Sequence, residues 1–166
     1  TLGMQFVLNG VQKFNEPGLY VTLEQSKEKV RADMESLGFD IKKYEKQGKL
    51  ILLGGKIATI QEEMKVADAT IKHVLEELEE VIKSNNIKRV TLDSLNLLVL
   101  FQNSNSDRRK TIAKLSDMLS RLNCTAILTS EIHEGSNLLS TYGIEEFIVD
   151  GVIVLSRIKE DDRLLN

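Results

Sequence analysis

The sequence predicts an α/β fold: a mostly parallel sheet covered by helices on both faces, three layers in all. Three observations carry that prediction. Short apolar, β-branched runs alternate with segments whose apolar residues recur at three- and four-residue steps, the pattern of strand–helix–strand units with right-handed crossovers. Two of the runs end at once in an acid, Tyr20-Val21-Thr22-Leu23-Glu24-Gln25 and Arg89-Val90-Thr91-Leu92-Asp93-Ser94. A buried parallel strand has this form when it delivers a carboxylate to the sheet's carboxyl edge, where open α/β sheets bind ligands. A third apolar run ends in Thr129-Ser130-Glu131. Together the three outline a phosphoryl-transfer site, although no glycine-rich phosphate loop accompanies them.

Bulk properties narrow the class. At 166 residues the chain reads as one domain able to bury a core, and 42% hydrophobic with 28% charged residues is ordinary for a globular protein. No apolar run approaches the roughly 18 residues of a membrane span, and no signal peptide is read at the front. The single cysteine, Cys124, excludes an internal disulfide and suits a reducing compartment, so a cytoplasmic protein is expected. Cys124 itself reads as a small core residue at the start of a strand. A net charge of −3 gives no global attraction to nucleic acid or to an anionic membrane.

The elements follow in order. Leu2 to Phe14 has helical apolar spacing but no residue before Thr1 to cap it. Glu16-Pro17-Gly18 marks a turn before a strand over Leu19 to Leu23. Ser26 is the predicted N-cap of a helix with Val30, Met34 and Leu37 inward, ended by Gly38. Gln47-Gly48 precedes a strand over Leu50 to Leu53 that stops at Gly54-Gly55. Residues 56–67 read as a loop with a short helical turn. Asp68 is placed as the cap of a long helix whose Ile71, Val74, Leu75, Leu78, Val81 and Ile82 share a face, while Glu76, Glu77, Glu79 and Glu80 form a solvated one. Lys88 to Asp93 is the next strand, with apolar residues continuing from Leu95 to Phe101. A polar loop over Gln102 to Ser106 leads to a helix from about Asp107 to Leu122. Thr125 to Thr129 is a buried strand, residues 131–147 a long polar connection, and Gly151 to Ile158 a final strand. There is no internal repeat and no low-complexity tract.

Phosphoryl transfer needs a phosphate cradle, a held Mg²⁺ and a carboxylate that positions the attacking water. Asp93 has the strand-end placement of an acid that holds a water ligand of the ion. Mg²⁺ keeps several waters, so one such carboxylate suffices. Glu24, on another strand end, is the candidate for polarising water. On the residues alone other readings stay open: a turn or N-cap acid for Asp93, a first-turn helix acid for Glu24. His73 and His133 are far apart with no cysteine cluster, which argues against zinc. Ser130, Glu131 and His133 lie too close in sequence for a catalytic triad and lack a G-x-S-x-G elbow. Arg108, Arg109 and Lys110 sit beside a polar loop, but no aromatic residue stands between Gln102 and Thr141 to stack on a base.

These motifs resemble a family. Gln5-Phe6-Val7-Leu8-Asn9-Gly10, Glu16-Pro17-Gly18-Leu19-Tyr20-Val21-Thr22-Leu23-Glu24-Gln25 and Lys88-Arg89-Val90-Thr91-Leu92-Asp93-Ser94-Leu95 are similar, in order, to the KaiC-like branch of the RecA-superfamily P-loop ATPases. So are Thr129-Ser130-Glu131-Ile132, Tyr142-Gly143-Ile144-Glu145-Glu146-Phe147 and Asp150-Gly151-Val152-Ile153-Val154-Leu155. The resemblance implies a three-layer RecA-like core with ATP and Mg²⁺ as cofactors. It implies Glu24 as the catalytic carboxylate, with Gln25 where the family commonly has a second acid. Asp93 would be the Walker B acid holding Mg²⁺ through water. Ser94 would stand beside it at the nucleotide, and Thr129 and Ser130 would sense the γ-phosphate. It further implies a homo-oligomeric ring, such as a hexamer, that couples nucleotide state to an unknown protein partner without membrane contact. Gln25 cannot take a proton, which leaves a slow or non-hydrolysing regulatory and assembly module as a second reading. A third is a RadA-like recombination accessory protein on single-stranded DNA.

The sequence departs from the family at both ends. The family's G-x-x-x-x-G-K-S/T loop stands just before the helix containing Gln5-Phe6, and Thr1 falls one place after its Mg²⁺-binding hydroxyl. Gly54-Gly55-Lys56 lacks the spacing to replace it. The family's Lys-x-Arg-Gly segment follows the turn near Asp161-Asp162 and is likewise not found. Residues 1–166 are therefore expected to be a partial KaiC/RecA-like ATPase domain, inactive alone, with unpaired strand edges that make it a poorly behaved monomer.

Overall fold

The computed structural model describes residues 1–54, 67–100, 102–132, 139–156, 158–160 and 163–165, with 67–70 and the last two segments described as backbone only. Its centre is an all-parallel sheet of β1 (Gly18–Thr22), β2 (Leu50–Gly54), β3 (Arg89–Asp93) and β4 (Thr125–Leu128), in the order β2-β1-β3-β4. Helices α1 (Leu2–Asn9), α2 (Lys27–Ser36) and α3 (Ile41–Lys46) belong to one face, and α4 (Ala67–Ser84), α5 (Leu95–Val99) and α6 (Asn105–Arg121) to the other. Strand alternation sorts the side chains between them. Leu19, Val21, Val90 and Leu92 join Val74, Leu78, Ile82, Ile112, Leu115 and Leu119 in one core. Tyr20, Leu50 and Leu52 join Met4, Val7, Leu8, Val30, Met34 and Ile41 in the other. The expected three layers and parallel sheet are present.

Helix α1 is seated on β3 by close backbone approach. The Thr91 hydroxyl donates to the Gly3 carbonyl at 3.0 Å, and a Cβ on Gly3 would stand 2.5 Å from Thr91 Cγ2. Thr91 is β-branched and fully buried, so it cannot swing away. Gly3→Ala is expected to destabilise the fold. Overpacking costs about 1–3 kcal/mol, more than the gain of up to about 1 kcal/mol from replacing a helical glycine. A denaturant melt checks this; an unchanged or raised midpoint would contradict the contact. Beyond Asn9 the chain continues as a π-helical turn, Gly10–Phe14, ended by Asn15 in the left-handed region at φ 54°. Arg89 locks that turn to the start of β3. Its Nε donates to Glu16 Oε2 at 2.6 Å, and its guanidinium lies 4.9 Å from the ring centroids of both Phe6 and Phe14.

Several expectations needed correction. The first helix is α-helical only to Asn9. Leu37, expected inward, is 54% exposed because the helix ends at Ser36 and Leu37 is already its C-cap. Helix α3 was not expected at all; Asp40 caps it by accepting from the Lys43 N–H at 3.1 Å. Asp68 lies inside α4 rather than at its cap. The apolar run after Ser94 is the short helix α5. Gly151 to Ile158 is not a strand: residues 151–156 have no regular structure and are exposed, and the last strands are β5 (Ile158–Glu160) paired antiparallel with β6 (Arg163–Leu165). A strand exists by virtue of a hydrogen-bonded neighbour, and 151–156 belong to neither sheet. Among the described residues β4 pairs only with β3, so its other edge is unpaired. Ser26 does cap α2, accepting from the Lys29 N–H at 3.2 Å, and Cys124 is a half-buried thiol donating to the Ile87 carbonyl at 3.3 Å. Burial pushes that thiol's pKa up. Residues 55–66, His133 and the Asp161-Asp162 turn lie outside the described residues.

Helices α4 and α6 are tied across their surface by Glu79, which accepts from Arg121 at 3.0 Å and pairs with Lys83 at 2.6 Å. Those two cations hold its carboxyl at about 2, below the usual 4.5. A carboxyl depressed in the folded state stabilises the fold above its unfolded pKa and loses that contribution as pH falls through the folded one. Glu79→Gln is therefore expected to lower the melting temperature slightly at pH 7, with the difference from wild type vanishing towards pH 2 and shrinking in high salt. A difference independent of pH and salt would contradict the assignment.

Candidate functional site

The parallel pairing of β1 and β3 sets Thr22 opposite Asp93, and the Leu23 N–H donates to the Asp93 carbonyl at 2.7 Å. Both strands thus end at one edge, where Asp93, the last residue of β3, and Glu24, two residues beyond β1, come together. Asp93 is half-buried, with one hydroxyl on each carboxylate oxygen. Tyr20 donates to Oδ2 and Thr129 to Oδ1, both at 2.6 Å. The peptide bond from Asp93 to Ser94 is cis. Ser94, 4% exposed, donates its hydroxyl to Glu24 Oε1 at 2.5 Å. Glu24 is otherwise exposed. One carboxylate is therefore gripped, and the other is steadied at one oxygen and open to solvent at the second. Burial, then the hydrogen bond to Asp93 and its charge, keeps the Tyr20 phenol far above the usual tyrosine range, so it is a donor at neutral pH.

A polar chain leads away from Asp93 on the β4 side. Thr129 closes β4 onto its neighbours: its N–H donates to the Leu92 carbonyl at 3.0 Å and its carbonyl accepts from the Leu95 N–H at 2.8 Å. Ser130 donates to Asn96 Oδ1 at 2.9 Å, and Asn96 Nδ2 donates to the Thr141 hydroxyl at 2.7 Å. Glu145, 5% exposed, is satisfied by the Ser140 hydroxyl at 2.7 Å and by the N–H groups of Ile144 and Tyr142 at 3.1 and 3.4 Å. Arg108 lies over the Tyr142 ring at 4.3 Å, and Lys110 pairs with Asp107 at 3.3 Å.

Of the residues singled out in the sequence, the structure gathers Glu24, Asp93, Ser94 and Thr129 at one edge. Ser130 is one step removed, bound to Asn96 instead. At Gln25 it is the backbone that makes contact: its N–H donates to the Thr22 hydroxyl and its carbonyl accepts from that hydroxyl, both at 3.0 Å, and the residue is exposed. Sequence reasoning missed Tyr20, Asn96 and Glu145. Tyr20 is the most instructive omission. It sits opposite Thr91 in the register, and its ring spans the two-residue rise of about 6.6 Å to Asp93. An aromatic two residues before a strand-end Thr, on the same face, was the available signal.

The donor set suits Mg²⁺. Among the described residues no three His, Cys, Asp or Glu side chains converge on one point. Mg²⁺ needs no such cage, being held by one or two carboxylates, waters and substrate phosphates. A single oriented carboxylate with free lone pairs meets that requirement, and an exposed acid next to it could face a water. Among the described residues no helix is long and apolar enough to cross a membrane.

Comparison with known proteins agrees with this fold. The chain matches the KaiC ATPase family model over residues 1–165. It is 28% identical over 160 residues to the circadian clock oscillator protein KaiC of Synechococcus elongatus, covering 96% of this chain and 31% of that protein. It is 30% identical over 162 residues to the KaiC of Rippkaea orientalis, covering 98% and 31%. The chain thus spans 31% of the length of these curated relatives. The crystal structure of a KaiC-like protein from the hyperthermophilic archaeon Pyrococcus horikoshii superposes with a TM-score of 0.81 at 33% identity, over 98% of this chain and 67% of that one. The chain belongs to the KaiC family of RecA-like P-loop ATPases.

Proposed function

We propose that the carboxyl edge of β1 and β3 is the ion and water side of a Mg-ATP site in the full-length protein, and that ATP is hydrolysed there. The observation that carries the reading is the contrast between the two acids. Asp93 is fixed through both oxygens, as a group that orients an ion's water must be, while Glu24 is steadied by Ser94 and left open, as a base must be. The sequence holds no glycine-rich phosphate loop, so the proposal concerns this side of the site. Bound Mg-ATP supplies the phosphoryl group and the charge that stabilises its transfer. Glu24 Oε2 accepts the proton of the attacking water, with Ser94 steadying the other oxygen. Asp93 orients a water of the ion, and Thr129 keeps Asp93 registered with β4. Nucleotide state at this edge would alter subunit and partner contacts in a homo-oligomeric ring. The exposed Phe147, Ile153 and Leu155, at 73%, 76% and 76%, supply apolar surface of the kind subunit contacts cover.

A second reading, a slow assembly module, is favoured by one observation: the exposed residue next to Glu24, where a second acid would stand, is Gln25, whose amide cannot take a proton. Asp93→Asn in the full-length protein tests the primary reading. Mg²⁺-stimulated turnover is expected to fall to background while the melting temperature stays within about 4 °C of wild type. Retained stimulation would contradict it.

A further inference from the structure

We propose that Tyr20 is a positioning residue for the ion-holding carboxylate, acting with Thr129 as a two-sided hydroxyl clamp that fixes how Asp93 faces the ion's water. The inference rests on the reading of Asp93 given above and adds a residue to it. An aspartate's terminal torsion is broad, so a strand-end carboxylate held at one oxygen can still rotate. Here each oxygen accepts one hydroxyl, Tyr20 on Oδ2 and Thr129 on Oδ1. Each also keeps a lone pair for a ligand. The two donors come from strands on opposite sides of β3: β1 on one side and the end of β4 on the other. The clamp therefore ties the carboxylate to the sheet on both flanks, and its geometry changes only if the sheet does.

Tyr20 is well placed for that work. It is 5% exposed, its ring belongs to the core that holds Met4, Val7 and Leu8 under α1, and β1 pairs with β2 on its other side. A residue so confined aims its hydroxyl at one point. A buried tyrosine hydroxyl ordinarily finds some partner, and a merely structural bond would predict a loss of stability and nothing more. Outer-shell hydrogen bonds to metal-holding groups predict something else, a loss of metal affinity of about 10- to 100-fold.

The test uses the full-length protein and the affinity for ATP measured by calorimetry twice, in Mg²⁺ and in excess EDTA. The ratio of the two reports the ion's contribution without reference to turnover. Tyr20→Phe removes one oxygen atom and leaves the packing. It is expected to reduce the Mg²⁺ enhancement by about 10-fold and to leave the affinity in EDTA unchanged. Thr129→Val, on the other oxygen, is expected to reduce the Mg²⁺ enhancement likewise and carries the test alone if Tyr20→Phe does not fold. A wild-type enhancement in both variants, or equal losses with and without Mg²⁺, would overturn the clamp. Asp93→Asn separates the two levels. If it abolishes the enhancement while Tyr20→Phe and Thr129→Val leave it at the wild-type value, the clamp alone is wrong. If Asp93→Asn itself retains the enhancement, the reading of Asp93 fails and the clamp with it.

Discussion

Glu24→Gln in the full-length protein is expected to lower the rate of ATP hydrolysis by about 100- to 10,000-fold, the usual contribution of a positioned general base. Gln keeps the shape of Glu and retains an oxygen to accept from Ser94, so the local geometry survives. What it loses is the ability to take a proton. Because Glu24 is exposed and its side chain is bonded to Ser94, a bond that Gln can keep, stability is expected to change by no more than about 0.5 kcal/mol. Nucleotide affinity should also hold, since the carboxylate faces water rather than the phosphates in this reading. Single-turnover hydrolysis with binding measured alongside checks all three. An unchanged rate would remove Glu24 from the mechanism. A wild-type rate already at background would favour the slow assembly module.

The second large effect is on folding. Leu92→Ala is expected to destabilise the protein by about 2–5 kcal/mol, measured by denaturant unfolding. Leu92 is 0% exposed in the strand between β1 and β4, in the core shared by α4, α5 and α6. Rigid neighbours on three elements leave little room to collapse into the space a leucine vacates. Leu37→Ala is the matched control: at 54% exposed the same change should cost no more than about 0.5 kcal/mol. Similar losses at both positions would contradict the packing described for Leu92. The position also bears on the site, because Leu92 immediately precedes Asp93 and its carbonyl accepts the Thr129 N–H.

What was legible in the sequence follows from the range of the interactions involved. The acid at the end of β1 and the acid at the end of β3 announce themselves locally, since an apolar run followed by a carboxylate is a pattern within six residues. Ser26 as a cap and the helical face of Ile71 to Ile82 are equally local. The contacts that organise the site are not. Tyr20 reaches Asp93 across 73 positions, and Asn96 reaches Thr141 across 45. The register of β1 on β3 brings the first pair together, and the second joins α5 to a bend beyond β4; neither is written in the segments themselves. Helix α3 has six residues, too few to show a period, and its one signal was Asp40. The apolar run from Gly151 looked like a strand because composition reports the propensity to pair, while pairing needs a neighbour. The Ser94 hydroxyl likewise reaches Glu24 across 70 positions, a contact that no local pattern shows.

The most direct test of the central claim is to locate the ion. Crystals of the full-length protein grown with Mn²⁺ in place of Mg²⁺ and a non-hydrolysable ATP analogue would show the metal by its anomalous scattering. The account predicts a peak about 4–5 Å from the Asp93 carboxylate, one water between them, with Tyr20 and Thr129 still bound to its two oxygens. Metal and phosphates found at any other edge of the sheet, with Asp93 and Glu24 facing solvent, would contradict it.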